Sequence, residues 1–353
     1  MIKNRFFWPV LVLLALVVLN LVKNGFAFFT IHVTHGHLYG PLVSIAIYAA
    51  PLILVSLGMT VVIATGGIDL SVGAVVAVAG ALAALHVSQQ HDENSVTGTL
   101  VAVVMALAAA LVLGRWNGFL VSRVGIQPIV ATLILMVAGR GLAQLITNGQ
   151  IITLNSKTYS FIGGGYLLAV PFSVLIALAV VVLTALLTRR TALGLLIESV
   201  GGNPVASRLV GINARRIKWM VYTFSGLCAG IAGLMISSNV TAADSNNAGL
   251  FIELDAILAV VIGGTSLMGG RFSLGGTVLG AVIIQTLTTT IYSIGVPPQS
   301  NLVFKAVVVT IVCLIQSPAF RSKVFRRRRS VGPPPGQPAQ PTPVSPAPAE
   351  VSQ

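Results

Sequence analysis

Apolar windows about 20 residues long recur along the chain from Phe6 almost to Gln316. A helix needs about this many apolar residues to cross the hydrocarbon core of a bilayer. Because 55% of the residues are hydrophobic, only 8% are charged and the mean hydropathy is +0.94, the chain has too little polar surface to coat a water-soluble globule. These features predict an all-α, polytopic membrane protein.

The interruptions between apolar windows predict about ten transmembrane spans. The spans are expected at residues 7–27, 43–64, 70–87, 97–114, 126–147, 166–188, 217–238, 253–267, 274–292 and 302–316. The first window also has features of a cleaved signal peptide, but its apolar run is long for such a segment, which favours an uncleaved helix. An even number of spans returns both termini to the same side of the membrane.

The basic residues indicate which side that is. The net charge is +13, but the Lys and Arg residues lie in short clusters between spans, so membrane orientation explains them better than nucleic-acid binding does. The clusters lie near the N-terminus, at 115–123, at 189–218, at Arg271 and at 321–329. Since basic loops remain in the cytoplasm, both termini are predicted to be cytoplasmic. The exceptions to this orientation are Lys23, Lys157 and Lys305.

Residues 321–353 begin with a basic cluster and continue as the proline-rich stretch "SVGPPPGQPAQPTPVSPAPAEVSQ". Such a composition does not form a helix or bury a core. These residues are therefore predicted to be a disordered cytoplasmic tail, and residues 1–320 to form the transmembrane domain.

The stretch "ATGGIDLSVG" places a carboxylate, Asp69, within a strongly apolar part of the chain. Gly66 and Gly67, followed by Asp and Ser, are typical of a chain that ends one helix and begins the next, so the first interpretation is that Asp69 caps the new helix. Acids within membranes are also often functional, and the alternative is that Asp69 relays protons or contacts substrate. Both interpretations stay open at this point.

A second predicted helix break is "VIGGTSLMGGRFSLGG", which contains six glycines in sixteen residues. Such density ends a helix and allows backbones to approach closely. The break glycines are Gly263, Gly264, Gly269 and Gly270. Because the stretch lacks the Gly-Lys-Ser/Thr of a nucleotide-binding loop, the chain is not expected to hydrolyse ATP or to bind a cofactor itself.

The longest predicted cytoplasmic loop, residues 189–218, contains the stretch "ESVGGNPVASRLVGI". Pro204 at a first helical position and Gly211 after the last predict a short amphipathic helix between them. Apolar Val205 and Leu209 alternate with polar residues, which suits docking into the groove of a partner. A helix lying on lipid headgroups would have the same pattern.

Further polar residues, Gln285 among them, fall within the predicted spans. Most such side chains hydrogen-bond neighbouring helices, and the candidates for a translocation pathway are Asp69, Asn117, Arg140 and Gln144. Arg140 and Gln144 lie four residues apart on one helix face. Glu253 and Asp255 are interpreted as helix caps. The histidines show no metal-ligand spacing, so no metal site is predicted.

Three of these motifs together carry a family resemblance. "GGIDLSVG", the Gly-Gly-Asn-Pro loop and "ELDAILAVVIGGTSLMGG" resemble the permease subunits of bacterial ABC importers for ribose, galactose and related monosaccharides, over about residues 40–316. Within that family, "GQIITLNS", "DSNNAGLFIELDAILAV" and "SLMGGRF" are most similar to the galactofuranose permeases. The loop at 198–212 is closer to the general family pattern.

The resemblance implies a multi-pass permease of the inner membrane that is not itself an enzyme. It implies three kinds of partner: a cytoplasmic ABC ATPase that binds ATP and Mg, a periplasmic sugar-binding protein, and a second permease that is identical or paralogous. It also implies that the loop 189–218 seats on the ATPase. The residues expected to couple the two proteins are Glu198, Gly201, Gly202, Asn203, Pro204, Val205, Arg208, Leu209 and Gly211.

Two other functions are consistent with a polytopic membrane chain. A proton-coupled sugar symporter would work alone and would depend on Asp69. If the chain were a signalling or scaffold protein, deleting it would leave sugar uptake unaffected. The importer differs from both because it needs nucleotide turnover on a partner.

Overall fold

The computed structural model describes residues 7–34, 36–295, 297 and 300–316. The predicted tail at 321–353 and the basic residues Lys3 and Arg5 lie outside the described residues. The described residues up to Val312 belong to one compact unit, and the unit that begins at Cys313 contributes only residues 313–316 to the description.

The described part of the chain is mostly helical, with three short two-stranded pairings in its connections. The helices are α1 (Phe7–Asn24), α2 (Pro41–Ala64), α3 (Val72–Ser88), α4 (Val96–Phe119), α5 (Pro128–Ile146), α6 (Lys157–Gly164), α7 (Phe172–Arg190), α8 (Leu193–Gly202), α9 (Pro204–Leu209), α10 (Ala214–Val240), α11 (Ile252–Ile262), α12 (Leu274–Ser293) and α13 (Asn301–Gln316). The strands are β1 (His32–Thr34), β2 (His37–Tyr39), β3 (Ile152–Thr153), β4 (Tyr166–Leu167), β5 (Val170–Pro171) and β6 (Ala242–Ala243). All three pairings, β1 with β2, β3 with β6 and β4 with β5, are antiparallel.

Helix α10 is the centre of the bundle and packs most extensively against α4, α2 and α3. Small residues permit the close approach, since Gly226 on α10 lies against the backbone of Gly114 on α4. Helices α2 and α10 are mostly buried, whereas α1 and α7 leave most of their apolar side chains at least partly exposed. Exposed apolar faces on long helices are expected where lipid is the solvent.

The predicted number of about ten spans is not confirmed. Within the described part of the chain, seven helices are long and apolar enough to cross a membrane: α1, α2, α4, α5, α7, α10 and α12. The windows predicted at 70–87, 253–267 and 302–316 instead contain the shorter helices α3, α11 and α13. Apolar windows count residues, and they do not distinguish a helix that crosses the bilayer from one that begins within it.

The predicted span at 166–188 begins six residues later, at Phe172. Residues 166–171 form the tight hairpin of β4 and β5 instead, with Leu168 and Ala169 at positive φ in its two-residue loop. Both residues are apolar and extend the window, so hydropathy alone does not reveal the turn.

Helix α3 begins level with the middle of α10 rather than with one of its ends. Ser225 lies three turns into α10, about 16 Å along the axis from its first residue. Its hydroxyl contacts Asp69, in the connection between α2 and α3. Non-helical backbone is tolerated at this depth only where protein or water surrounds it. The interior of the bundle provides that protein.

Candidate functional site

The first helix break, defined as Thr65–Ser71, is closed by side chains. The carboxylate of Asp69 is 1% exposed. It accepts hydrogen bonds from the backbone N–H of Ser71 at 3.1 Å, the Ser71 hydroxyl at 2.6 Å and the Ser225 hydroxyl at 2.9 Å. Asn117 of α4 in turn donates its amide N–H to the Ser71 hydroxyl at 2.7 Å. Two predicted pathway residues, Asp69 and Asn117, therefore meet in one buried polar network.

This geometry corrects the capping interpretation of Asp69. The N-cap of α3 is Ser71, whose own side chain makes no capping hydrogen bond. Asp69 lies two residues earlier and binds the N–H of Ser71 itself rather than one inside the helix. The prediction was wrong because Gly-Ile-Asp-Leu-Ser offers two capping residues, and both side chains bond to each other and to neighbouring helices instead of capping α3.

The second helix break, defined as Gly263–Ser273, is closed mainly by backbone contacts. The N–H of Gly270 donates to the carbonyl oxygen of Ala64 at 2.9 Å. Gly201, near the end of α8, has no room for a side chain because a Cβ there would overlap that same carbonyl oxygen. A Cβ on Gly269 would lie 2.9 Å from the carbonyl oxygen of Gly201 and 3.0 Å from the nitrogen of Gly66.

We name these five residues the glycine junction: Ala64, Gly66, Gly201, Gly269 and Gly270. It brings together the three motifs that are far apart in the sequence. Of the other predicted break glycines, Gly67 abuts the Tyr222 hydroxyl, Gly263 abuts Gly276, and Gly264 adopts a φ of +82°. The structure therefore gives each break glycine a close contact or a left-handed backbone.

The predicted short helix in the basic loop is confirmed as α9. Pro204 is its first residue, and the side chain of Asn203 caps it by accepting from the N–H groups of Val205 and Ala206, both at 3.0 Å. At its other end, Gly211 has a φ of +86°. The N–H of Ile212 reaches the carbonyl oxygen of Ser207 at 2.9 Å, and that of Gly211 reaches Arg208, which is a Schellman motif.

Helix α9 presents apolar side chains outward. Val205 is 67% exposed and Leu209 is 84% exposed. The opposite side is anchored, since the Ser207 hydroxyl donates to the carbonyl oxygen of Ser199 in α8 at 2.8 Å. Glu198 is half-buried on α8, and Gly202 has open space around it. Of the two adjacent glycines, it is Gly201 that the fold constrains.

Arg140 and Gln144 do not join the Asp69 network. The Arg140 guanidinium donates to the carbonyl oxygens of Ser245 at 3.1 Å and Ala248 at 2.6 Å. Gln144 donates to the side chain of Asn246 at 2.8 Å. The shared helix face predicted from their spacing therefore holds the segment 244–250, between β6 and α11. The four candidate pathway residues form two separate groups.

Asp244 shapes that same segment. Its carboxylate accepts from the N–H groups of Asn246 at 2.9 Å and Asn247 at 3.2 Å, and from the Asn247 amide at 2.7 Å. Partial burial alone would raise the pKa of Asp244, but these hydrogen bonds and the positive charge of Arg140 outweigh it and lower the pKa below its ordinary value.

Comparison with known proteins identifies the family. A family model described as the permease component of the branched-chain amino acid transport system matches residues 42–313. The chain belongs to this permease family. Its apolar helices and its relatives make it a multi-pass protein of the inner membrane.

Three relatives cover most of the permease. The galactofuranose transporter permease protein YtfT of Escherichia coli (strain K12) is 51% identical over 330 residues, which is 91% of this chain and 94% of that protein. The fructose import permease protein FruF of Bifidobacterium longum (strain NCC 2705) is 39% identical, over 94% of this chain and 93% of that protein. The ribose import permease protein RbsC of Escherichia coli (strain K12) is 38% identical, over 75% and 81%. The resemblance to monosaccharide importer permeases is thus confirmed.

The permease contains a cavity of about 250 Å³ between α2, α6, α7, α10, α11, α12 and the connecting segment 244–250. Its polar lining residues are Tyr48, Ser173, Asn239, Asn247, Asp255 and Gln285. The Ser173 hydroxyl is buried and has no hydrogen-bond partner among the described residues. The sequence indicated only Gln285 and Asp255 from this set, because the lining comes from six helices and one connecting segment with no common spacing.

Asp255 is paired with a cation instead of capping α11. Its carboxylate accepts from Lys305 of α13 at 2.8 Å, and the two side chains are 23% and 11% exposed. This ion pair explains why Lys305 departs from the orientation rule: its charge is neutralised within the protein, so it carries no weight in choosing a side of the membrane.

Proposed function

We propose that this permease is a subunit of an ATP-driven importer that carries a monosaccharide across the inner membrane. The observation that carries the proposal is the 51% identity to a galactofuranose transporter permease over 91% of the chain. The other relatives are named for fructose and ribose, so a monosaccharide is the ligand class common to all three. Galactofuranose is the first sugar to test.

The energy source in this proposal is a partner protein. The chain has no Gly-Lys-Ser/Thr loop for nucleotide phosphates, so ATP and Mg would bind on a cytoplasmic ABC ATPase. A periplasmic sugar-binding protein would deliver the sugar, and a second permease, identical or paralogous, would complete the pathway.

Helix α9 is the proposed contact with the ATPase. Its exposed Val205 and Leu209 suit insertion into a partner's groove. Arg208 is exposed beside them and supplies a charge for an acidic rim. The remaining coupling residues act by shaping the helix, because Asn203 and Gly211 fix its two ends.

The glycine junction is the proposed path from α9 to the transmembrane helices. A force on α9 reaches α8 through the bond between Ser207 and Ser199, and Gly201 lies one residue before the end of α8. Because the junction consists of backbone against backbone, it has no side chains that could change rotamer and absorb a displacement. Movement of α8 would therefore shift both helix breaks together, in the manner of a rigid-body transition.

The cavity described above is the proposed sugar contact. Neutral sugars present hydroxyl groups that both donate and accept, and Asn239, Asn247 and Gln285 can do the same in return. The ring of Tyr48 offers an apolar surface for a sugar face. At about 250 Å³ the cavity is slightly smaller than the usual drug-sized pocket, which suits one monosaccharide unit.

The direct test is uptake of labelled D-galactose, which in solution includes the furanose form, and of D-fructose and D-ribose by cells that lack this chain and carry it back on a plasmid. We expect restored uptake of at least one sugar, and sugar-stimulated ATP hydrolysis by the co-purified complex. Absence of uptake of all three, with the complex assembled, would reject monosaccharide import.

Coupling is tested at Gly202, whose surroundings in the permease are open. Gly202→Trp should leave the permease folded but prevent sugar-stimulated ATP hydrolysis, because the new side chain projects toward the partner. Gly202→Ala is the matched control and should retain coupling. Normal uptake by Gly202→Trp would count against α9 as the docking segment.

The proton-coupled symporter is not favoured. Asp69 is enclosed by three donors and does not line the cavity. A symporter predicts that liposomes containing this chain alone accumulate sugar when a pH gradient is applied. The importer predicts no accumulation without the ATPase.

A further inference from the structure

A strongly basic pocket lies where the end of α4 approaches the start of α10, on the face predicted to be cytoplasmic. Its volume is about 630 Å³, and its lining residues are Phe119, Arg123, Asn213, Arg215, Arg216 and Trp219. Two adjoining grooves of about 350 Å³ and 370 Å³ add Arg208 and Lys218. No carboxylate lines any of the three.

The cations of this pocket lack counter-charges within the described chain. Among the described residues, the ion pair is the one between Lys305 and Asp255, which are not part of this pocket. None of the Arg and Lys residues of the pocket forms an ion pair with a described carboxylate. Clustered cations repel one another, so an arrangement of this kind is more stable when an anion occupies it.

The position of two of the arginines strengthens this point. Arg215 and Arg216 lie in the first turn of α10, where the helix dipole already places positive charge and disfavours cations. Arg189 and Arg190 lie in the last turn of α7, where the dipole favours them. The preference of basic residues for the cytoplasmic side accounts for both arginine pairs. It does not explain why Arg215 and Arg216 lie at the helix end where the dipole disfavours positive charge.

Aromatic side chains border the same pocket. The Arg115 guanidinium lies 4.7 Å from the centre of the Trp219 ring and holds it between α4 and α10. Trp116 and Phe119 are 52% and 45% exposed on the outer face of α4, with ring centres 6.2 Å apart. Exposed aromatic rings at a helix end are typical of the level of lipid headgroups.

We propose that this pocket binds the phosphate headgroup of an anionic phospholipid in the cytoplasmic leaflet. The guanidinium groups of Arg123, Arg215 and Arg216 contact the phosphate oxygens, and the acyl chains lie along the apolar face of α4. An acidic surface of an ATPase would use the same charges. The lipid is favoured because the aromatic side chains are part of the lining, whereas the exposed apolar residues of α9 lie outside it.

The experiment measures lipid retention by the full-length chain. The wild-type permease is reconstituted into nanodiscs that contain equal amounts of phosphatidylglycerol and phosphatidylethanolamine. After release from the nanodisc, the lipid molecules that stay bound are counted by native mass spectrometry. We expect preferential retention of phosphatidylglycerol. Arg215→Gln with Arg216→Gln should reduce it by about tenfold or more. Arg189→Gln with Arg190→Gln removes the same charge from the same face and should change little.

A cooperative thermal unfolding transition shows that each double variant is folded. The single variant Arg123→Gln lies outside α10 and gives an independent measurement, in which we expect a smaller loss of phosphatidylglycerol retention. Equal phosphatidylglycerol retention by the wild type and the Arg215 and Arg216 variant would overturn the proposal. So would displacement of the lipid by inorganic phosphate at the same concentration, which would assign the site to free phosphate. Unchanged lipid retention with lost ATPase co-purification would assign the charges to the partner protein.

Discussion

The two helix breaks look alike in the sequence but are held together by different contacts. In Thr65–Ser71, the buried carboxylate of Asp69 accepts hydrogen bonds from the Ser225 hydroxyl of α10 and from Ser71. In Gly263–Ser273, glycines allow the backbone to lie directly against Ala64 and Gly201. The difference teaches that glycine content locates a break but does not reveal what closes it.

The two kinds of closure should respond differently to substitution. A side-chain network loses one hydrogen bond at a time and can rearrange. A backbone contact without Cβ atoms has no such freedom, since any added atom must move a helix. The glycine junction should therefore be the less tolerant of the two.

The largest effect is expected for Gly201→Ala. Its Cβ overlaps the carbonyl oxygen of Ala64, and because the obstacle is backbone, we expect a loss of about 3 kcal/mol or more in the free energy of unfolding. Thermal or detergent-induced unfolding of the purified chain measures it.

Gly202→Ala is the matched control, because nothing lies within 4 Å of its Cβ position. We expect a change within about 0.5 kcal/mol. Equal effects of the two alanines would mean that the junction is not closed by backbone contact.

A smaller loss is expected for Asp69→Asn in the first break. The asparagine amide presents N–H groups where the carboxylate accepts from Ser71 and Ser225, so we expect a cost of about 1–3 kcal/mol. Unfolding curves compare it with Asp92→Asn in an exposed loop, which should change little. Sugar uptake per folded molecule should persist, and its complete loss in a stable variant would restore a direct transport role for Asp69.

Ser225→Ala should cost about 1 kcal/mol, because it removes one of three donors to Asp69 and leaves a small, well-fitting side chain. Ser199→Ala is a suitable control, since that hydroxyl donates only to the carbonyl oxygen of Leu195 in its own helix. A cost as large as that of Asp69→Asn would show that the network cannot rearrange, and would remove the contrast between the two breaks.

The smallest effect is expected at Asp244, in the solvent-accessible segment 244–250, which lies outside both helix breaks. The folded-state pKa of Asp244 is below its ordinary value of 3.8, so its charged form stabilises the fold above that pH. This contribution should disappear as the pH falls through the folded-state pKa. Melting temperatures of the wild type and Asp244→Asn should differ slightly at pH 7 and converge in acid. A gap that widens in acid would contradict the assignment.

Several elements were predictable because their causes are local. Helix α9 could be predicted from the residues that begin and end it: Asn203 and Pro204 at its start and Gly211 after its last turn. The ends of α2 and α5 fall within two residues of the predicted ones. The starting point of α7 was not predictable, because the residues of its preceding hairpin are as apolar as a membrane span.

The pairings between distant residues were not predictable. Lys305 looked like an exception to the orientation rule, and only its contact with Asp255 explains it. Asn239 and Ser173 line a cavity with no sequence signal that groups them. The candidate pathway residues divided into two networks because α4 and α10 surround Asp69, while α5 faces the segment 244–250.

By itself the sequence determined that the chain lies in a membrane, where its helices break and where the short helix of the loop 189–218 begins and ends, because hydropathy, glycine and capping residues act over a few neighbouring positions. The tertiary structure decided how deep the breaks lie, which glycines are constrained and which charges are paired. Those properties depend on close contacts between residues as much as about 200 positions apart, such as Gly66 and Gly269, and no local pattern encodes such a contact.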